Sequence, residues 1–316
     1  MALNMEGKSK IIGVLGGGIS GEREISLLSA RAAYNALSQG SFQAVFMDID
    51  TSDENIIRER IYSSGIDLAF IALHGQFGED GQIQKIMENM EMVYTGSDSG
   101  ASASAMNKAF SKEIFLKNNI PTPRYSVFAN KVIALENISW PVVVKPSCSG
   151  SSLGVSIARG QPEFSRAIDK AFSYDKFAIV EDYIGGREIT VGILDEQPMG
   201  VVEIISDRQY YDFEAKYCEA KTKFIAPARL DSGTYKKIQE IGLAAHKALG
   251  CRHFSRVDIR LSKDNIPYVL EVNSIPGLTS HSLLPLSAGI CGISFNLLIE
   301  KMTKLALYGK KETQKV

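Results

Sequence analysis

An apolar run of strand length, Lys10-Ile11-Ile12-Gly13-Val14-Leu15, breaks at Gly16-Gly17-Gly18, and the stretch from Glu22 to Leu37 that follows has helical periodicity. Two more strand-like runs, Gln43–Asp50 and Ile66–Leu73, extend the alternation. Strand, tight turn, helix and strand again is the grammar of an open parallel sheet wrapped by helices. In such α/β sheets ligand chemistry sits at the carboxyl ends of the strands. Here those ends carry Gly16 to Glu22 and His74 to Gly81.

The chain of 316 residues is long enough for more than one lobe. Small polar residues at 95–107 mark a change of organisation, and a helix ending before Pro121 follows. Val142–Ala158 and Phe177–Ile184 read as strand segments, the first containing a Gly/Ser turn. They predict a second, antiparallel lobe over residues 98–186, after a first lobe over 1–97. The third, over 187–316, has strands at Glu188–Leu194, Gly200–Ile205, Ser255–Leu261 and Pro267–Asn273, and a helix from Thr234 to Gly250. Residues 206–224 are long, polar and aromatic; a loop of that length reads as a lid.

Charge narrows the partners. A formal net charge of -1 offers no basic excess for neutralising a phosphate backbone, so nucleic acid is not expected. No apolar stretch approaches a membrane span, and Ile11 to Leu15 is too short for a signal sequence. Cys148, Cys218, Cys251 and Cys291 lie far apart with no CxxC pair, which reads as free thiols in the cytoplasm.

The chemistry concentrates in the third lobe. Side chains alternate across a strand, so Arg256 and Asp258 share one face, and Glu271 and Asn273 share another on what reads as a neighbouring strand. Two carboxylates and a carboxamide are hard oxygen ligands suited to Mg²⁺ shared with phosphates. Spacing alone also admits a solvated strand face. The turn from Asn273 to Ser282 offers backbone N–H groups to an anion. In the second lobe Lys145 ends an apolar strand, and Ser147 to Gly154 can wrap phosphates, though the pattern is not a Walker A loop. Lys108, Lys112 and Lys117 read as a solvated helix face, with Lys108 set apart by its place at a lobe boundary.

The spacing Gly16-x-Gly18-x-x-Gly21, with Asp48 and Asp50 ending the second strand, fits a dinucleotide fingerprint and raises a nicotinamide-dependent oxidoreductase as an alternative. Against it, Glu22 and Glu24 stand where a pyrophosphate would rest on the helix N-terminus. A substrate ammonium suits Glu22 better. His246 and His253 have no metal-ligand partner nearby in sequence, and Trp140 reads as packing.

Six segments, GGGISGEREISL, LHGQFGEDG, VVVKPSCSGSSLG, YYDFEAKY, SRVDIRL and LEVNSIPGLTSHSLLP, occur in the order and spacing of a known family. Together they resemble the D-alanine–D-alanine ligases of the ATP-grasp superfamily, from about residue 10 to residue 305. The resemblance implies a three-lobed ATP-grasp fold: a Rossmann-like parallel sheet, then two α+β lobes clasping ATP. It implies that Lys108, Lys145 and Lys216 hold phosphates, and that Glu181 and Glu188 bind adenine and ribose. Asp258, Glu271 and Asn273 match the ligands of Mg²⁺, two ions in number, with Mn²⁺ as a substitute. Arg256 and the Gly277 amide match the groups around the tetrahedral intermediate; Glu22, Ser151 and Tyr217 match a triad linking lid to first lobe. Glu22 and His74 match positions near the first D-alanine, and Ser282 and Leu283 positions that hold the second one's carboxylate.

The expected reaction phosphorylates the first D-alanine, lets the amine of the second attack, and supplies peptidoglycan precursors. A homodimer is expected by family analogy alone. D-lactate or D-serine remains an alternative acceptor, and a catalytically dead ATP-binding regulator a more distant reading. Two departures stand out: Cys148-Ser149-Gly150-Ser151-Ser152 replaces the family's frequent Arg-Glu-Gly-Ser-Ser, and Asn107-Lys108 its frequent Asp-Lys.

Overall fold

The computed structural model describes residues 10–130, 138–206, 222–279 and 282–309. Its first sheet is parallel, with β1 (Ile11–Gly17) between β2 (Gln43–Ile49) and β3 (Leu68–Ile71). Val14 pairs with Phe46 on one side and Phe70 on the other. Helices α1 (Arg23–Ser38), α2 (Glu54–Ser64) and α3 (Gln82–Asn89) cover the sheet. β1 and β3 are buried on both faces, which is why they read as apolar runs rather than alternating ones. Gly16 is required by packing: a side chain there would overlap Ala30 of α1.

Two helices, α4 (Ser99–Met106) and α5 (Lys108–Lys117), lead into an antiparallel sheet of order β4-β7-β5-β6. Its strands are β4 (Tyr125–Phe128), β5 (Val142–Pro146), β6 (Ser156–Ala158) and β7 (Ala178–Asp182), and α6 (Gln161–Phe172) packs on it. Val142, Val144, Ala178 and Val180 meet Phe164, Ala167 and Ile168 of α6. The alternate residues, Val143, Lys145, Ile179 and Glu181, therefore face the other way.

The largest sheet is antiparallel, β10-β9-β8-β11-β12. It comprises β8 (Gly186–Leu194), β9 (Gln197–Ile205), β10 (Lys223–Ile225), β11 (Phe254–Ser262) and β12 (Pro267–Asn273). Helix α7 (Ser232–Ala248) covers one face, setting Ile238 and Ala245 against Val191, Val257 and Ile259. Ala105 of α4 and Phe115 of α5 join this same core. The last helices are α8 (Leu283–Ile290) and α9 (Phe295–Tyr308). Leu298 and Met302 of α9 pack with Ile12, Val14 and Ala33, so the end of the chain completes the core of its beginning. Among the described residues no single helix is long and apolar enough to cross a membrane.

Candidate active site

Between the second and third sheets lies an open cleft of about 910 Å³, solvent at its mouth included. Val143, Ile157 and Leu270 supply apolar wall; Lys145, Glu181, Glu188 and Arg260 supply charge. Strand alternation aims these side chains. Lys145 and Glu181 lie on the cleft face of neighbouring strands, one pair out of register, and their charged ends meet at 2.7 Å.

Helix α5 corrects one expectation. Lys108 and Lys112 are not a solvated face but are both buried, four residues apart on the inward side. The outward side carries Phe110 and Leu116, 44% and 57% exposed. Lys108 donates to the Ser149 carbonyl at 2.7 Å and pairs with Glu271 at 3.1 Å. Lys112 pairs with Glu181 at 2.8 Å and donates to the Thr122 hydroxyl at 2.7 Å. Burial lowers the Lys112 ammonium to about 8 despite the attraction of Glu181, with Lys145 pushing the same way as burial. Burial also works against ionised Glu181, but Lys112 and Lys145 together hold its carboxyl below the usual range.

The acids of the third sheet are likewise matched. Asp258 lies opposite Glu271, and Arg256 opposite Asn273, so all four side chains share one face. The Arg256 guanidinium forks onto Asp258 at 2.9 and 2.7 Å. Asp258 accepts further bonds from Thr190 at 2.6 Å and from the Asn273 amide at 3.0 Å. Arg260 pairs with Glu188 at 3.2 Å. Among the described residues no three His, Cys, Asp or Glu side chains form a ready-made ion cage. Two carboxylates and an amide on adjacent strands instead fit a hard cation that takes its remaining ligands from phosphate and water.

The loop joining β5 to β6 is held in an unusual shape. Ser151 and Ser152 have φ of 48° and 58°, and Gly154 follows at 76°. Left-handed backbone at two residues with side chains costs on the order of 1–2 kcal/mol each. The loop is pinned at three points: by Lys108 on the Ser149 carbonyl, by the Cys148 N–H on Asp175 at 2.6 Å, and by the Ser151 hydroxyl on Glu22. The last bond joins second lobe to first, so two members of the expected triad meet. Tyr217 and Lys216, with most of the expected lid, lie outside the described residues. Asn107 caps α5, accepting from the Phe110 N–H at 3.1 Å and from the Ser147 hydroxyl at 3.1 Å.

His74 is a strut. Its Nε2 meets the Ser29 hydroxyl at 2.8 Å, while its Nδ1 faces the Ile275 carbonyl and Glu79, each at 3.2 Å. Since Ser29 also accepts from the Leu278 N–H, the ring and Ser29 tie the first lobe to the turn that carries Gly277. Ser282 caps that turn: its hydroxyl accepts from the Thr279 N–H at 2.9 Å, and Leu283 opens α8 behind it. The Gly-rich fingerprint is filled from within. Arg23 bonds Asp48 at 2.7 Å and the Gly18 carbonyl at 3.2 Å, and Arg60 takes Asp50 at 2.7 Å. The acid expected to meet a ribose is thus already spoken for. His253 bonds the Gly96 N–H, and Trp140 packs edge-on against Phe164.

Sequence reasoning passed over Lys112, Thr190, Arg260 and Ser29. A signal existed for Lys112, its four-residue offset from Lys108. Thr190 and Ser29 gave none, because a hydroxyl in an apolar segment does not name its partner.

Two antiparallel sheets facing each other across a lysine-floored cleft, with paired acids on adjacent strands beyond it, form the arrangement of the ATP-grasp class. Comparison with known proteins specifies it further. Residues 51–97 match the pattern of the D-ala D-ala ligase N-terminus, and residues 114–304 that of the D-ala D-ala ligase C-terminus. A D-alanine–D-alanine ligase of Geotalea uraniireducens is 44% identical over 302 residues, 95% of this chain and 96% of that one. The Bacillus anthracis D-alanine–D-alanine ligase solved with ATP superposes with a TM-score of 0.82 at 31% identity, covering 95% of this chain and 98% of the other. The VanG D-Ala:D-Ser ligase of Enterococcus faecalis gives 0.81 at 30% identity, covering 95% and 100%. The chain belongs to the D-alanine–D-alanine ligase family.

Proposed function

We infer that this protein joins two D-alanines into D-alanyl-D-alanine at the expense of ATP, for peptidoglycan precursor synthesis. The observation that carries the reading is the cleft in which Lys145 and Glu181 share a floor with Glu188, opening onto Asp258, Glu271 and Asn273. Phosphoryl transfer asks a protein mainly for positioning and charge neutralisation. Lys145 and Lys108 supply positive charge; Glu188 suits ribose hydroxyls, and Glu181 the adenine. Mg²⁺, with Mn²⁺ as a substitute, would be held by Asp258, Glu271 and Asn273 and would neutralise the transferring phosphoryl group.

The first D-alanine's ammonium fits Glu22, which Ser151 orients. Its carboxylate takes the γ-phosphoryl to form an acyl phosphate. The amine of the second D-alanine then attacks, the tetrahedral oxyanion forms, and phosphate leaves. Arg256 and the Gly277 N–H are the donors proposed for that oxyanion. Ser282 and the Leu283 N–H, at the positive end of α8, suit the second carboxylate. The acyl phosphate needs exclusion of water, the role proposed for the segment containing Lys216 and Tyr217. We place the enzyme in the cytoplasm, where ATP is supplied, as a homodimer.

The test is ADP release coupled to dipeptide formation, with D-alanine, D-serine, D-lactate and L-alanine offered as acceptors. D-alanine should give the highest kcat/KM. The resemblance to a D-Ala:D-Ser ligase makes D-serine the informative rival. Faster turnover with D-serine would reassign the acceptor, and no ADP release with any of them would overturn the reading.

A further inference from the structure

Among the described residues, Lys112 is the one fully buried lysine of the site that does not line the cleft. Its seat is prepared on every side. Glu181 of β7 faces it at 2.8 Å. The Thr122 hydroxyl accepts a hydrogen bond from it and in turn donates to the Val269 carbonyl at 2.8 Å. The Tyr125 ring of β4 lies 5.4 Å away, face on to the cation. Lys145 of β5 and Glu271 of β12 are the other charges that act on it. Burying a charge this completely is costly, so an arrangement this specific calls for a function.

Charge counting shows one. Glu181 holds Lys145 through one oxygen and Lys112 through the other. Were Lys145 the sole partner of Glu181, the pair would be neutral and the floor of the cleft would offer a phosphate nothing. With two lysines on one carboxylate the triad carries a net charge of one, and Lys145 is its cation in the cleft. We propose that Lys112 is a positioning residue for nucleotide binding: by sharing Glu181 with Lys145, it leaves Lys145 free to attract a phosphate and fixes the Glu181 carboxylate from behind. The proposal rests on the assignment of this cleft to ATP.

The test is calorimetric binding of ATP and of uncharged adenosine to the wild type, Lys112→Met, Glu181→Gln and the double variant. Lys112→Met should weaken ATP about tenfold, equivalent to about 1.4 kcal/mol, and adenosine by no more than about twofold. At saturating ATP its kcat should stay near the wild-type value, the loss appearing in KM. Adding Glu181→Gln restores the net charge of one, so the double variant should regain ATP affinity lost in Lys112→Met and come within about threefold of the wild type. A purely structural lysine would affect both ligands alike and would not be rescued, so either result overturns the proposal. If Lys112→Met fails to fold, the double variant against the wild type carries the test: ATP affinity within about threefold supports the proposal, and a tenfold loss of ATP with adenosine binding retained overturns it. Unchanged ATP binding by Lys112→Met overturns this inference alone, whereas no ATP binding by the wild type overturns the cleft assignment with it.

Discussion

Replacing Arg256 by alanine should separate the ion pair that the structure shows for this side chain from the oxyanion role proposed for it. In the absence of ligands, Arg256 neutralises Asp258 through two charge-assisted bonds at 2.9 and 2.7 Å. Breaking a buried ion pair costs about 3–5 kcal/mol, and single bonds to charged groups are worth about 1.5–3. The two side chains here are 11% and 14% exposed, and Asp258 keeps its bonds from Thr190 and Asn273. The lower end applies, so the variant should lose about 2 kcal/mol, read by urea denaturation. A divalent cation held by Asp258, as proposed, would replace the missing charge, so Mg²⁺ with ADP should stabilise the variant more than the wild type. In catalysis the variant loses an oxyanion donor, and kcat should fall by about 10²–10³ while ATP affinity changes little. Unchanged urea stability would refute the Arg256–Asp258 strut. Turnover near the wild-type rate would refute the oxyanion role.

Ser151→Ala and Glu22→Gln should each raise KM for the first D-alanine by about tenfold with ATP affinity retained, as expected for loss of one bond to a charged group; a loss confined to ATP would move Glu22 out of the substrate site. Thr190→Val removes the hydroxyl that orients Asp258, so a higher Mn²⁺ concentration should be needed for half-saturation, measured by electron paramagnetic resonance, while Thr190→Ser should behave like the wild type. Asn107→Ala should cost about 1 kcal/mol as a lost helix cap, and Asn107→Asp little or nothing, both read by denaturation. For pH, burial lowers Lys112 to about 8 in the folded chain, below its ordinary 10.5. ATP affinity should therefore decline as pH rises through about 8, when Lys112 loses its charge. Between about 8 and 10.5 the unfolded chain binds the extra proton, so this group's contribution to stability rises with pH there; Lys112→Met should lack both trends.

The cleft-facing residues were legible wherever strand alternation alone decides direction. Val142, Val144 and Val180 alternate with Val143, Lys145 and Glu181, and the structure buries the first set under α6. Asp258, Glu271 and Asn273 were readable as a converging set once their strands were taken as neighbours, and the pairing of Asp258 with Glu271 provides that. Helix α5 was misread for a physical reason. A helix with lysines at intervals of four or five looks solvated by composition, and only tertiary packing decides which of them goes inside. The packing of α9 on α1 was equally hidden, since an amphipathic helix declares that it has a partner but not where.

What no reading of local pattern supplies is the matching of each acid to its cation. Glu271 takes Lys108, Glu181 takes Lys112 and Lys145, Glu188 takes Arg260, and Asp258 takes Arg256. Four carboxylates in one cleft would repel a triphosphate strongly in a medium where charges are poorly screened. Pairing removes that repulsion before any nucleotide arrives. On the proposed assignment, Asp258 and Glu271 would hold the cation of a metal–nucleotide complex, which would leave Lys108 for the phosphates and Arg256 for the oxyanion. Such an exchange of partners would keep buried charge compensated throughout, which a site built from bare acids or bare lysines could not do. On this argument, affinity for nucleotide and metal together should exceed what their separate affinities predict. Mg²⁺ titrated into the protein with and without ADP should show that coupling. Independent binding of the two would mean that the ion pairs are fixed struts and not exchangeable partners.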